Sequence, residues 1–461
     1  MSAIVTHKFR FNNAENFHDS FAASKYYMFV GRSEKWDDDN NPPIPQDSQV
    51  SESLQYRDMI AAKFISPSDV SYVVPRRNYT SGVAYDMYKH NISASNPAQS
   101  GATALWDSTF YVLTSDYNVY ICIDNNNGGI STGEPTGTST SIISGGDNYK
   151  WKYLYTLSTS AIQKHLSLDF MPIINDATIA GAAAKGGIEH IELISGGTGY
   201  TNGTYNNVVI HGDGIGGKCT VVVVGGIIDS VVVTDTGGIV NQIGKIYTFA
   251  SIDYSQFGTG TGANINPIIS PLYGHGADNI KELGAFFVMV TTTLTGEEGA
   301  GDFLINQDFR QIGLLKNPTE GQSLATSPTL SCLKTLTVSG FANTHFIIDE
   351  IITGSSSTGI GVVSDFDPLT GVLKYFQQSE IGSGLASDGD IDLFLPTITS
   401  PPSGYTADTI TGSISGAVAL VDSISSSEID TYSGDILYVE NRMPIPRADD
   451  QQENIKLIVE F

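Results

Sequence analysis

Cysteine is scarce in this chain: Cys122, Cys219 and Cys332 are the only three among 461 residues. They lie far apart with no CxxC spacing. That excludes the common zinc and dithiol patterns and makes a disulfide framework unlikely for so long a chain. They read as buried thiols in a reducing compartment. Long apolar runs are missing as well. No 18 consecutive apolar residues occur, and the opening MSAIVTHKFRF has no apolar h-region, so neither a membrane span nor a secretory leader is expected. Charge is sparse, at 16% of residues, and positive charge sparser still. The 24 Lys and Arg stand against 49 Asp and Glu, for a net charge of −25. The basic footprint of a nucleic-acid binder is therefore lacking. The balance fits a protein whose partners are other proteins.

Motifs that carry chemistry are equally thin. GKS, GKT and HExxH are absent, no GxSxG elbow of recognised context appears, and no two of the eight histidines stand within four residues of each other. GDGIGG (212–217) has the form G-x-G-x-x-G, and GTGTGA (258–263) nearly does. KCTVVVV follows the first, a strand pattern where a dinucleotide site needs a helix N-terminus, so both read as turns. DNNNGG (124–129) puts Pro135 where a calcium loop needs a bidentate Glu, so it reads as an Asn-Gly hairpin turn. SDGDID (387–392) reads as a solvated acidic loop. The expectation is no catalytic residue, no cofactor, no metal site and no enzyme.

Glycine (48), serine and threonine are plentiful, and 22 Tyr and 20 Phe supply material for real cores. Turn-rich composition with few helical periods predicts a mainly β protein, and the length predicts two to four domains. AIVTHKFRF (3–11) alternates like a strand, with a short helix from Asn12 through Phe21. YYMFVG (26–31) reads as a buried strand, about 48–62 as a helix, and VSYVVPRRNY (70–79) as strand. TFYVLTS and NVYICID meet at a tight turn around Ser115–Tyr117. NYKWKYLYTLS (148–158) alternates with Tyr149, Trp151, Tyr153 and Tyr155 on one face. DNIKELGAFFVMVTT (278–292) predicts a helical turn closed by Gly284 and then a strand, and DFRQIGLLKNP (308–318) another strand. ILYVE (436–440) and NIKLIVEF (454–461) are strand patterns joined by a loop holding Pro444 and Pro446. An apolar final strand of this kind must be tied into a sheet.

Two stretches differ in texture and contain weak duplications. IEHIELISGGTG (188–199) is echoed by IDSVVVTDTGG (228–238), and GTY (203–205) by KIY (245–247). ITGSSSTGIGVVSD (352–365) is echoed by ITGSISGAVALVD (410–422). The repeats are too few for a solenoid. The expected architecture is a discontinuous β-sandwich core with a few short helices, interrupted by two inserted small β-modules. Its first part is 1–176, the Gly-rich insert 177–270, the second core part 271–325, the second insert 326–430 and the C-terminal strands 431–461. Among the few arginines, Arg76 and Arg77 follow Pro75, while Arg442 and Arg447 flank MPIP. Forked guanidinium groups on stiff loops suit carboxylates across an interface, or pair with the chain's own acids.

The blocks AIVTHKFR, FVGRSEKW, VVPRRNY, YKWKYLY, FRQIGLLKNP and GDILYVENRMPI…QQENIKLIVEF occur in this order. Together they resemble the baseplate wedge subunit family, the gene-eight product, of T-even-type contractile-tailed bacteriophages. The blocks cover about half of the chain; the stretches near 181–270 and 326–430 depart from the pattern. The resemblance implies a non-enzymatic virion protein, mostly β-sandwich, acting as a homodimer in the tail baseplate after assembly in the host bacterial cytoplasm. It implies other wedge proteins as partners and, at the periphery, tail-fibre-associated ones, with no nucleic acid and no membrane insertion. Arg32, Arg76, Arg77, Arg310 and Arg442 are the arginines at which the blocks agree. One alternative is a receptor- or fibre-associated protein that grips host glycans through its inserts, with Tyr200, Tyr205 and Tyr247 stacking on sugar rings. Another is a capsule-degrading enzyme, which would need paired carboxylates in a groove.

Overall fold

The computed structural model describes residues 4–184, 186–238, 246–295, 308–341, 344–377, 393–446 and 452–461. The protein is mainly β, a set of antiparallel sheets with few short helices. The chain forms two compact units, each assembled from separate lengths of sequence. One comprises Met1–Asn16, Ser71–Met289 and Ile458–Phe461, the other Phe17–Val70 and Val290–Leu457.

The second unit holds a five-stranded sheet drawn from distant parts of the chain. Its order is Thr329–Ser331, Met59–Ile65, Tyr26–Gly31, Phe309–Lys316 and Asp435–Ile445. Tyr26–Gly31 lies in the middle, with Val30 opposite Ile312 on one side and Phe29 opposite Ala62 on the other. All its residues are buried, which is why YYMFVG reads as a continuous apolar run rather than an alternating one. Gly313 makes room for this packing: a Cβ there would lie 2.2 Å from the Phe29 ring. The expected helix over 48–62 is shorter. It runs Gln49–Asp58, capped by the Ser48 side chain, and Met59 turns the chain into the strand Met59–Ile65. MIAAKFI satisfies either period, and pairing with Tyr26–Gly31 decides it. Pro444 does not sit in a loop either. The last strand of this sheet continues to Ile445, opposite Phe309. It is an edge strand, where a missing N–H need break no ladder.

In the first unit, Tyr111–Leu113, Asn118–Asp124, Lys150–Thr156 and Ile143–Ser144 form a four-stranded sheet in that order across the sheet, with Lys150–Thr156 between Asn118–Asp124 and Ile143–Ser144. The hairpin turn falls where expected, with Tyr117 in the left-handed region at φ 59°. Tyr149, Trp151, Tyr153 and Tyr155 are buried in the core, and Lys152 on the opposite face is buried as well. The helical turn Asn279–Leu283 closes on Gly284 at φ 77°, and the strand Phe287–Thr295 follows. DNNNGG is not a hairpin. It forms the 3-10 turn Asn126–Gly128, with the Asn125 side chain accepting from the Gly128 N–H.

The opening strand is absent. His7–Ala23 is an α-helix, and the Thr6 hydroxyl accepts the Phe9 N–H at 3.3 Å to cap it. Helical spacing brings His7 and Phe11 to one side, with ring centroids 4.3 Å from Trp106 and 4.8 Å from Phe286 respectively. The alternation of 3–11 fits a strand, but these distant rings reward the helix.

The C-terminal strand Gln452–Glu460 stands beside Phe287–Thr295 in a four-stranded sheet that continues through Val70–Pro75 to Phe170–Pro172. The Phe461 N–H donates to the Phe286 carbonyl at 2.9 Å. Arg10 bonds the Glu460 carboxylate at 2.7 Å and the Phe461 carbonyl, and lies 3.9 Å over the Phe286 ring. The end of the chain is thus fastened to the opening helix.

Candidate interaction surfaces

Arg76 donates to the Ser167 carbonyl at 2.9 Å and to Asn78 Oδ1 at 2.8 Å. Arg77 donates to the carbonyls of Trp106 and Asp107 at 3.0 and 3.2 Å and lies 4.8 Å over Tyr111. Both therefore brace their own chain through backbone oxygens. Arg442 bonds Glu440 at 2.9 Å with 49% of its side chain exposed, and its carbonyl accepts from Trp36 Nε1. Of the described candidates it alone presents a largely open guanidinium. Arg447 lies outside the described residues.

Two arginines not singled out as interface candidates do the heavier structural work. Arg310 is 1% exposed. Its Nε and Nη2 grip the Asp39 carboxylate at 2.9 and 3.0 Å, and Nη1 donates to the Ser33 carbonyl at 2.6 Å. Hydrogen bonding from Arg310 holds the Asp39 carboxyl below its ordinary value. This pair fixes the WDDDNN loop. Arg32 lies 3.9 Å over the Trp36 ring and reaches Asp58 at 3.3 Å. An acid-rich loop facing so few cations was the available signal.

The Gly-rich stretch forms a four-stranded sheet in the order Ile227–Asp235, Lys218–Val224, Gly203–Gly212, Ala250–Ile252, and a pair His190–Thr198 with Thr261–Ile268. GDGIGG leads into the strand Lys218–Val224, as its turn reading requires. Its glycines have a packing purpose. A Cβ on Gly214 would lie 2.5 Å from the Tyr247 ring, and one on Gly260 2.4 Å from the Tyr200 ring. Each of these glycine turns therefore seats a tyrosine from a distant part of the stretch. Tyr200 and Tyr247 are 6% and 3% exposed. Tyr205 lies against Phe257 at 4.9 Å and bonds the Thr201 carbonyl. The expected sugar-stacking face at Tyr200 and Tyr247 is therefore overturned, because those rings are already covered. Gly214→Ala and Gly260→Ala should each destabilise the protein by about 1–3 kcal/mol through overpacking, read by calorimetry as a lower melting temperature.

The 326–430 stretch contains a closed six-stranded barrel of Lys334–Ser339, Val372–Phe376, Ile360–Asp367, Ile351–Gly354, Thr409–Gly412 and Val418–Ser425. The duplicated ITGS segments pair directly and antiparallel, Ile352 opposite Gly412 and Gly354 opposite Ile410. Each is preceded by a fully buried carboxylate. Asp408 accepts from the Ser356 and Ser357 N–H groups at 2.6 and 2.9 Å, from the Ser357 hydroxyl, and from the Leu395 N–H at 2.7 Å. Glu350 accepts from the N–H groups of Ile414, Ser415 and Ile347 and from the Ser415 hydroxyl. Each repeat's acid clasps the other repeat's turn.

Residues 3–130 match the family model Phage-Gp8, described as Bacteriophage T4, Gp8. Over that stretch the chain resembles the gp8 family. A curated relative, "Baseplate wedge protein gp8" of Enterobacteria phage T4, is 26% identical over 34% of this chain and 55% of its own length. The match therefore spans about half of that relative.

The gp8-matched stretch also grips the root of the Gly-rich module. Lys89 pairs with Glu192 at 2.6 Å, and His90 Nδ1 accepts the Ile269 N–H at 3.2 Å. Asp124 bonds Lys150 at 2.7 Å and lies 3.8 Å from His190. Burial pushes His190 down to about 4, so it is neutral at pH 7. Lys152 and Glu189 form an ion pair with side chains only 4% and 6% exposed. Near them, Glu282 accepts from the Gly276 N–H at 2.7 Å and bonds His275. Among the described residues no cluster of three metal-ligating side chains occurs. No described helix is long and apolar enough to cross a membrane.

Proposed function

We propose that the protein is a structural subunit of a phage tail baseplate wedge, bridging other wedge proteins during tail assembly and host attachment. The single observation that carries this is the gp8-family match over residues 3–130. The interlocked architecture supports it. Sheets drawn from distant chain lengths and a closed barrel resist shear, as a part that bears load must. In this reading the subunit is a homodimer and no enzyme, and it moves as a rigid spacer while its polar interfaces re-form around it. Residues 177–270 and 326–430 are modules inserted into a core of 1–176, 271–325 and 431–461. Arg442, with its open guanidinium, and Arg447 are the arginines offered to a neighbour, in a virion tail baseplate assembled in the host cytoplasm.

Light scattering coupled to size separation tests the reading. A dimer that enters a larger complex when mixed with the neighbouring wedge proteins of its virion is expected. A monomer that ignores those proteins would refute it.

A further inference from the structure

A cavity of about 320 Å³ opens beside the barrel, and none of the contacts above uses it. Positive charge is rare in this protein, yet two cations share this wall. Arg57 Nε donates to the Tyr432 hydroxyl at 2.7 Å, and Lys334 Nζ to Gln377 Oε1 at 2.6 Å. Both acceptors are neutral. No described residue lining the cavity is acidic. Glu428 is spent on the Ser331 N–H at 2.7 Å, and Glu52 and Asp435 are near enough to act on Tyr56 without lining the cavity. Lys334 is pushed below its ordinary value, first by burial and then by Arg57. Two like charges held together with no counter-charge among the described lining residues favour an anion.

The remaining wall is aromatic and hydroxylated. Tyr56 and Tyr432 meet edge to face at 5.7 Å, and Tyr432 is 52% exposed. Tyr375 is fully buried, and its hydroxyl has no partner among the described residues. A buried hydroxyl left without a partner is costly, so one at a cavity wall calls for a polar occupant. Ser427 and Thr431 add further hydroxyls.

We infer that this cavity binds an acidic sugar unit. The carboxylate meets Arg57 and Lys334, the ring face lies on tyrosine, and the sugar hydroxyls complete Tyr375 and its neighbours. Ligand cavities run from roughly 300 to 1,000 Å³, which limits this one to one or two sugar rings. A bare oxyanion would leave the rings and the Tyr375 hydroxyl unused, and an acidic peptide has less need of the hydroxyl-rich wall. The inference rests on this cavity alone and is independent of the baseplate reading.

The test is calorimetric titration of the full chain at low ionic strength with glucuronate, glucose, inorganic phosphate and triglutamate. Glucuronate should bind, with glucose about tenfold weaker or more. Lys334→Met and Arg57→Met should each weaken glucuronate about tenfold, and Tyr375→Phe several-fold. Melting curves establish that each variant is folded before it is titrated. Absence of glucuronate binding overturns the inference. So does phosphate binding as well as glucuronate, which would make this a bare oxyanion site, or triglutamate binding better, which would make it a protein-docking site.

Discussion

Asp408→Ala should cost the 326–430 barrel about 3–5 kcal/mol, because it strands three partly buried backbone donors and a hydroxyl together. Asp408→Asn retains one oxygen acceptor and should cost about half as much. Glu350→Ala, at the mirrored position, should resemble Asp408→Ala, since each acid secures the turn of the opposite repeat. The pH dependence has a definite sign. Burial alone would raise both carboxyls, but the hydrogen bonds outweigh it and leave both below their ordinary values. A depressed carboxyl contributes stability above its unfolded pKa and loses it as pH falls through the folded one. The barrel should therefore weaken on acidification from about pH 4 downward, and a variant lacking one acid should lose less over that window. Thermal melts from pH 7 to 2.5 check this. A wild-type transition that stays constant over the acid range would contradict the account of the paired acids.

The second large effect concerns Lys152 and Glu189. Lys152→Met alone should destabilise the protein by about 3–5 kcal/mol, because it leaves a buried carboxylate without its cation. Adding Glu189→Leu should recover most of that loss, since desolvation of a buried pair offsets much of its attraction. Recovery should stop short by about 1 kcal/mol, because Glu189 also accepts the His275 N–H at 3.4 Å. A double-mutant cycle in urea reads the coupling directly. Additive single effects would mean that the pair does not act as a unit.

Parts of this architecture were legible from residue order because local chemistry and tertiary packing agree there. YYMFVG, with no polar alternation, had to be a strand covered on both faces. The helix stop at Gly284 follows from a residue that accepts left-handed backbone, and the turn at Ser115–Tyr117 from Ser and Asp standing between two strand patterns. The ITGS duplication pointed to a repeated hairpin unit. Legibility failed where one segment satisfies two periods. Residues 7–11 and 59–65 alternate well enough for a strand and space well enough for a helix, and their distant partners chose oppositely in the two cases. The arginine expectations were limited in a different way. A guanidinium's reach is long, so chain position does not say whether Arg76 and Arg77 turn inward to carbonyls while Arg442 stays open.

Sequence by itself determined the class of this protein: β-rich, acidic and punctuated by glycine, with a likeness to a phage family that a family model matches over residues 3–130. Those properties follow from local periodicity and composition, which need no knowledge of distant contacts. Only tertiary structure decided that the glycine turns at Gly214 and Gly260 seat Tyr247 and Tyr200, and that each ITGS repeat's buried acid holds the other's turn. It also decided that two scarce cations share one cavity. These are pairings between residues tens to hundreds of positions apart, and which partners meet is set by the packing of whole sheets.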